Sequence, residues 1–153
     1  RAKPGGKSGA FLYPTRDGRF VLKTCTRAEC ETLQRKLPAY LRYVQANPAT
    51  LLVRYMGCYA IEMYGKRVHF LVMLSVFHVL RGRSPSYTYD LKGSYVDRST
   101  RQRGGSVRLD NDMAHTLFLP PAHARALGDQ LRRDVEWLTA NGMMDYTQTW
   151  RPC

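Results

Sequence analysis

The stretch Gly5–Lys23, GGKSGAFLYPTRDGRFVLK, decides how the rest of the chain is read. It opens on a glycine-rich turn and continues as two short runs of alternating residues, Ala10–Tyr13 and Arg19–Leu22, before closing on a lysine. Asp17-Gly18 between the runs predicts a tight hairpin, because glycine accepts the positive φ that such turns need. Backbone N–H groups in a glycine-rich turn approach phosphate oxygens without a Cβ in the way. A lysine carried back by the second strand can reach the same phosphates as a point charge.

A glycine loop above and a strand lysine beneath is the layout of a kinase-like small lobe. Glycine-rich hairpins that end on a solvated lysine are also common, so this stretch alone leaves both readings open. A P-loop is excluded. Gly6-Lys7-Ser8 imitates its tail, but Arg1 stands where the first glycine belongs, and a strand follows in place of a helix.

The 153 residues suffice for one domain, or for a lobe and a half of something larger, and the 44% hydrophobic content supports a packed core. With 24 Lys+Arg against 12 Asp+Glu, the formal charge of +12 favours anionic partners: nucleotides, nucleic acid or acidic lipid headgroups. No aromatic-basic signature of a nucleic-acid module accompanies the charge, so no nucleic acid is expected. Cys25, Cys30, Cys58 and Cys153 form no C-x-x-C pair and the four histidines are scattered, which argues against a zinc site. Reduced, mostly buried thiols in a cytoplasmic protein are expected. No apolar run is long enough to span a bilayer and no signal peptide is visible. The chain opens on Arg1 and is expected to be a fragment.

Thr26-Arg-Ala-Glu29 has the form of a capping box and predicts a helix carrying Cys30, Leu33 and Leu37 on one face. Pro38 is expected to end or kink it, with a second short helix through Tyr40, Leu41 and Val44. Glu29 lies nearer the apolar face than Glu31. It has two candidate roles, an ion pair with Lys23 and the helix cap alone. Leu51–Ile61 and Arg67–Leu74, with Tyr64-Gly65-Lys66 between them, read as a second strand pair. With the opening hairpin they make an antiparallel sheet flanked by a helix, an α+β fold. Tyr87–Ser94 reads as a short strand entering a turn. The arginines that follow, Arg98, Arg101, Arg103 and Arg108, read first as a solvated loop and second as an anion or membrane patch. After Pro120-Pro121 a helix is expected, with Ala124, Leu127, Leu131, Val135 and Leu138 inward and Asn141-Gly142 as its stop.

Six pieces, in order, resemble the phosphatidylinositol phosphate kinase family: Lys7–Tyr13, Phe20–Thr24, Asn47–Leu52, Tyr89–Ser94, Arg108–Asp112 and Met144–Tyr146. Asp90-Leu-Lys-Gly-Ser94 is the most specific. The resemblance implies a kinase-like small lobe over about residues 1–77, then a linker and the start of a helical large lobe over about 78–153. It implies ATP and Mg2+ as cofactors, and a phosphatidylinositol monophosphate in an anionic membrane surface as substrate. It also implies a peripheral location at that surface, and it leaves a homodimer open. Lys23 matches the nucleotide-phosphate lysine. Ser8, Gly9 and Ala10 match the phosphate loop, Lys92 a lysine near the phosphates, and Asp145 the catalytic aspartate. Met73, Ser75 and Val76 fall in the hinge that packs the purine; metal ligands are not assigned. The departures are Ala10 and Leu12 where Ser and Phe are usual, Ser75 for Asn, and Thr147-Gln-Thr149 for Ser-Leu-Leu. The family's later metal-binding aspartate and its activation loop are not in this sequence, so the chain by itself is expected to be inactive.

Overall fold

The computed structural model describes residues 3–5, 10–78, 85, 87–100, 107–114, 116, 118–143 and 148–150. They group into two compact units, Arg1–Pro48 with Val53–Gly82, and Ala49–Leu52 with Arg83–Cys153.

The first unit is an α+β sandwich of one sheet and one helix. Strands β1 (Lys3–Gly5), β2 (Ala10–Pro14), β3 (Phe20–Cys25), β4 (Tyr55–Met63) and β5 (Lys66–Leu74) form an antiparallel sheet in the order β1-β2-β3-β5-β4. The β2–β3 hairpin closes as expected around Asp17-Gly18. Thr15 N–H donates to Phe20 O at 2.9 Å, Gly18 N–H donates to Thr15 O at 3.0 Å, and Gly18 takes φ +68°. The β4–β5 hairpin turns on Tyr64 and Gly65 at φ +51° and +69°, the left-handed pair that matches strand twist. Strand β4 begins at Tyr55, four residues later than the alternation at Leu51 suggests. The backbone of Ala49–Leu52 belongs instead to the second unit.

Helix α1 (Arg27–Ala46) starts on the predicted capping box: Glu29 N–H donates to the Thr26 hydroxyl, and the Thr26 N–H donates to Glu29 Oε2 at 2.6 Å. The expected break at Pro38 does not occur, and α1 runs through it for 20 residues. Proline costs an interior helix about 3 kcal/mol through the lost N–H and the ring clash. Anchors on both sides of Pro38 oppose that cost. Leu33 is buried on one side. On the other Tyr40, 3% exposed, donates its hydroxyl to Val53 O at 2.7 Å, accepts Tyr55 N–H at 3.2 Å and packs edge-on against the Tyr55 ring.

The expectation of reduced thiols fails at one pair. Cys30 of α1 and Cys58 of β4 form a disulfide with a Cα–Cα separation of 6.3 Å. The reason is register. Cys58 stands opposite Leu71, Leu71 opposite Lys23 and Lys23 opposite Leu12. Residues opposed in a ladder point to the same face, so Cys58 faces the helix. Spacing along the chain gave no sign of this meeting. Cys25 is a free thiol.

The second unit is built on β6 (Tyr89–Leu91), flanked by β7 (Arg108–Leu109) in parallel and β8 (Gln148–Trp150) in antiparallel pairing. A 3-10 turn, Asp110–Asp112, follows β7, and helix α2 spans Pro121–Ala140. Tyr89 is 2% exposed. The buried side of α2 differs from the predicted apolar stripe. It is centred on Gln130 and Asp134, with Leu127, Leu131 and Leu138 half-buried, whereas Ala124 and Val135 are exposed. The cause is polar demand. Asp134, fully buried, accepts the Thr50 hydroxyl at 2.6 Å, Leu51 N–H at 2.8 Å and the Gln130 amide at 2.8 Å. Buried donors need acceptors more than a Val needs cover.

Candidate nucleotide site

In the first unit Lys23 of β3 and Met73 of β5 lie on one face of the sheet. Lys23, half-buried, shares a row with Leu12, Leu71 and Cys58. Two residues along the strands, on the same face, the next row is Pro14, Val21, Met73 and Tyr55. Two residues of strand span about 7 Å. An apolar shelf of Val21 and Met73 therefore lies one row from an ammonium. A planar base over the shelf would direct an attached polyphosphate along the strands toward Lys23, so the residues present fit a purine nucleotide.

Beyond Met73 the chain leaves the sheet in a held turn. Ser75, 5% exposed, donates its N–H to Arg19 O at 2.8 Å, and its hydroxyl accepts Phe77 N–H at 3.2 Å. Val76 remains 47% exposed, next to the shelf strand. Ala10 opens β2 opposite Gly5. Ser8 and Gly9 lie outside the described residues.

Lys23 and Glu29 both bear on the Cys25 thiol, at the end of β3 and two residues past the lysine. Burial raises its pKa, the Glu29 carboxylate raises it further and the Lys23 ammonium opposes them. Glu29 also accepts the Thr26 hydroxyl at 2.9 Å, completing its cap. The cap is thus an observed role for Glu29, in the turn that follows the lysine strand.

Lys92 belongs to the second unit, in the turn after β6, where Gly93 takes φ +69°. Its backbone N–H and that of Gly93 both donate to Asp110 Oδ1, at 2.9 and 2.8 Å. The other Asp110 oxygen accepts Arg98 Nε at 2.7 Å. Arg98 reaches on to the Asp90 carboxylate at 3.3 Å and donates to the Asp90 carbonyl. Asp90 Oδ1 is buried and accepts no hydrogen bond among the described residues. Burial works to raise the Asp110 carboxyl. The Arg98 guanidinium and the two N–H groups outweigh it and hold the group below the usual carboxylate range. Arg98 was expected in a solvated loop. Its side chain is instead 14% exposed, because two carboxylates and a carbonyl converge on it. Arg108 likewise stacks over the Tyr87 ring at 3.8 Å; Arg101 and Arg103 lie outside the described residues. Asp145, the expected catalytic aspartate, also lies outside them.

Nothing in the pattern of Arg108-Leu-Asp-Asn-Asp112 distinguishes Asp110 from Asp112, or Arg98 from the other arginines of its run. Only the folded contact shows which backbone N–H groups Asp110 receives. Among the described residues no group of three His, Cys, Asp or Glu side chains could hold a metal ion, and no helix is long and apolar enough to cross a membrane.

An antiparallel sheet with one helix on the face that carries a strand lysine defines an α+β unit of kinase small-lobe type. Sequence comparison takes the assignment further: the model of the phosphatidylinositol-4-phosphate 5-kinase family matches residues 2–148, and the chain belongs to that family. It is 33% identical to phosphatidylinositol 4-phosphate 5-kinase type-1 beta of Gallus gallus, with 93% of this chain and 27% of the relative covered. It is 33% identical to phosphatidylinositol 4-phosphate 5-kinase 6 of Arabidopsis thaliana (93% and 21%). It is 32% identical to a probable phosphatidylinositol phosphate kinase of Dictyostelium discoideum (93% and 21%). The chain therefore spans about a fifth to a quarter of the length of these relatives.

Proposed function

We propose that this chain is the nucleotide-binding part of an ATP-dependent lipid kinase that phosphorylates the inositol ring of a phosphatidylinositol monophosphate, converting phosphatidylinositol 4-phosphate to the 4,5-bisphosphate. The observation that carries the reading is the row of Lys23 beside the shelf of Val21 and Met73. Bound ATP with Mg2+ would supply the phosphoryl group and part of the charge that stabilises its transfer. In this proposal Met73, Ser75 and Val76 hold the purine, and the N–H groups of Ser8, Gly9 and Ala10 face the phosphates. Lys23 and Lys92 place positive charge where negative charge develops, the largest single contribution in most such sites. Glu29, fixed by its cap, keeps a carboxylate near the Lys23 strand. Asp145 accepts the proton of the attacking hydroxyl.

The basic charge suits a peripheral position at an anionic membrane, where each nearby Lys or Arg contributes about 1 kcal/mol. That charge also supports a second reading, a non-catalytic module that binds acidic phospholipid.

One experiment separates them: the full-length protein is incubated with labelled ATP and vesicles containing phosphatidylinositol 4-phosphate. Lys23→Met is expected to lower label transfer by about 10²-fold or more, with vesicle pelleting unchanged. Transfer that survives the substitution rejects the role given to Lys23. Pelleting without any nucleotide binding by the native protein favours the second reading.

A further inference from the structure

We infer that Asp110 and Arg98 are positioning residues for Lys92: a carboxylate–guanidinium clamp that fixes the backbone from which Lys92 projects. The inference rests on the phosphate role proposed for Lys92 and deepens it.

The clamp grips the turn at three residues, Asp90, Lys92 and Gly93. Arg98 holds the carboxylate and the carbonyl of Asp90, two residues before the lysine. Asp110 Oδ1 takes the N–H groups of Lys92 and Gly93, at and just after it. Arg98 Nε to Asp110 Oδ2 at 2.7 Å joins the two halves. Gly93 takes φ +69°, so the chain bends directly after the lysine. A lysine side chain is a flexible four-carbon stem, and the backbone at its base sets the Cα and the direction of the Cβ from which it starts. Two N–H bonds to one ionised oxygen set both, because charge-assisted bonds are shorter and stronger than neutral ones. Asp112 does not share this task. Its oxygens accept Leu109 N–H, Thr100 N–H and the Ser99 hydroxyl, which close its own loop. Of the two aspartates in Asp110-Asn-Asp112, only the first touches the lysine turn.

A clamp of this kind is tested through its coupling to the lysine. The full-length protein is assayed with ATP and phosphatidylinositol 4-phosphate vesicles, at enzyme concentrations high enough to read residual turnover. Asp110→Asn puts an NH2 group against Arg98 and is expected to lower kcat by about 10²-fold, the cost of small misplacements in a reacting site. KM for the lipid is expected to hold. The double variant Asp110→Asn with Lys92→Met is expected to fall no lower than Lys92→Met alone. Multiplying losses would overturn the inference, since a merely structural aspartate harms the fold whatever stands at 92. Undiminished kcat in Asp110→Asn, with Lys92→Met crippled, overturns the inference and leaves the lysine's role standing. Full activity in Lys92→Met overturns both. If Asp110→Asn fails to fold, as read by its melting curve, Arg98→Lys carries the same cycle: it keeps a cation for Asp110 and loses the fork to Asp90.

Discussion

At the scale of single residues, the second unit invests its carboxylates in backbone N–H groups. Asp112 is the plainest case. Leu109 N–H, with Thr100 and Ser99, lowers its carboxyl to about 2. A group whose folded pKa is depressed stabilises the fold above its unfolded value, near 3.8, and loses that contribution as the pH falls through the folded value. The β7 turn is therefore expected to be fully held above about pH 4 and to loosen between about pH 4 and 2. Hydrogen exchange at the Leu109 and Thr100 amides across that range checks it. In Asp112→Asn the extra pH dependence should vanish, and an unchanged profile would contradict the account. Asp134, fully buried, is satisfied by one backbone N–H and two side-chain donors. Its three donors come from a loop and from its own helix, and Asp134 and Gln130 are the buried residues of α2.

At the scale of elements, helix α1 is the piece held most firmly to the sheet. A capping box starts it, Tyr40 anchors its second half and the Cys30–Cys58 bridge ties its first turns to β4. The bridge closes a sequence separation of 28 residues. By loop entropy such a cross-link contributes about 3–4 kcal/mol to stability. Urea unfolding of the first unit is expected to lose about that much when dithiothreitol is added, and Cys58→Ser should make the protein insensitive to the reductant. A midpoint that does not move on reduction would show that the thiols are not bridged in solution. The strand face bearing Lys23 is the face this helix covers, so the candidate site and the bridge share one layer.

At the scale of the whole molecule, the dominant quantity is the formal charge of +12. Exposed charges are screened beyond about 10 Å at 0.1 M salt. Pelleting with vesicles containing phosphatidylserine should therefore fall steeply as salt is raised from 0.05 to about 0.5 M, while vesicles of neutral lipid should show little binding at any salt. Salt-independent pelleting would point to apolar insertion. Much of this protein was legible without coordinates. Both hairpin turns, the start of α1 and the α+β class follow from glycine placement, a capping box and two-residue alternation, which are local properties of a chain. The place of Lys23 on its strand was legible in the same way, but the row it shares with Leu12, Leu71 and Cys58 depends on strand register, which alternation does not give. Other features arise between distant segments: the Cys30–Cys58 bridge, the unbroken helix through Pro38, the burial of Arg98 and the Asp110 hold on the Lys92 turn. Local pattern determined what each segment becomes. Only packing decided which polar and sulfur groups meet, because those meetings join segments far apart in the chain and burial favours matched donors and acceptors.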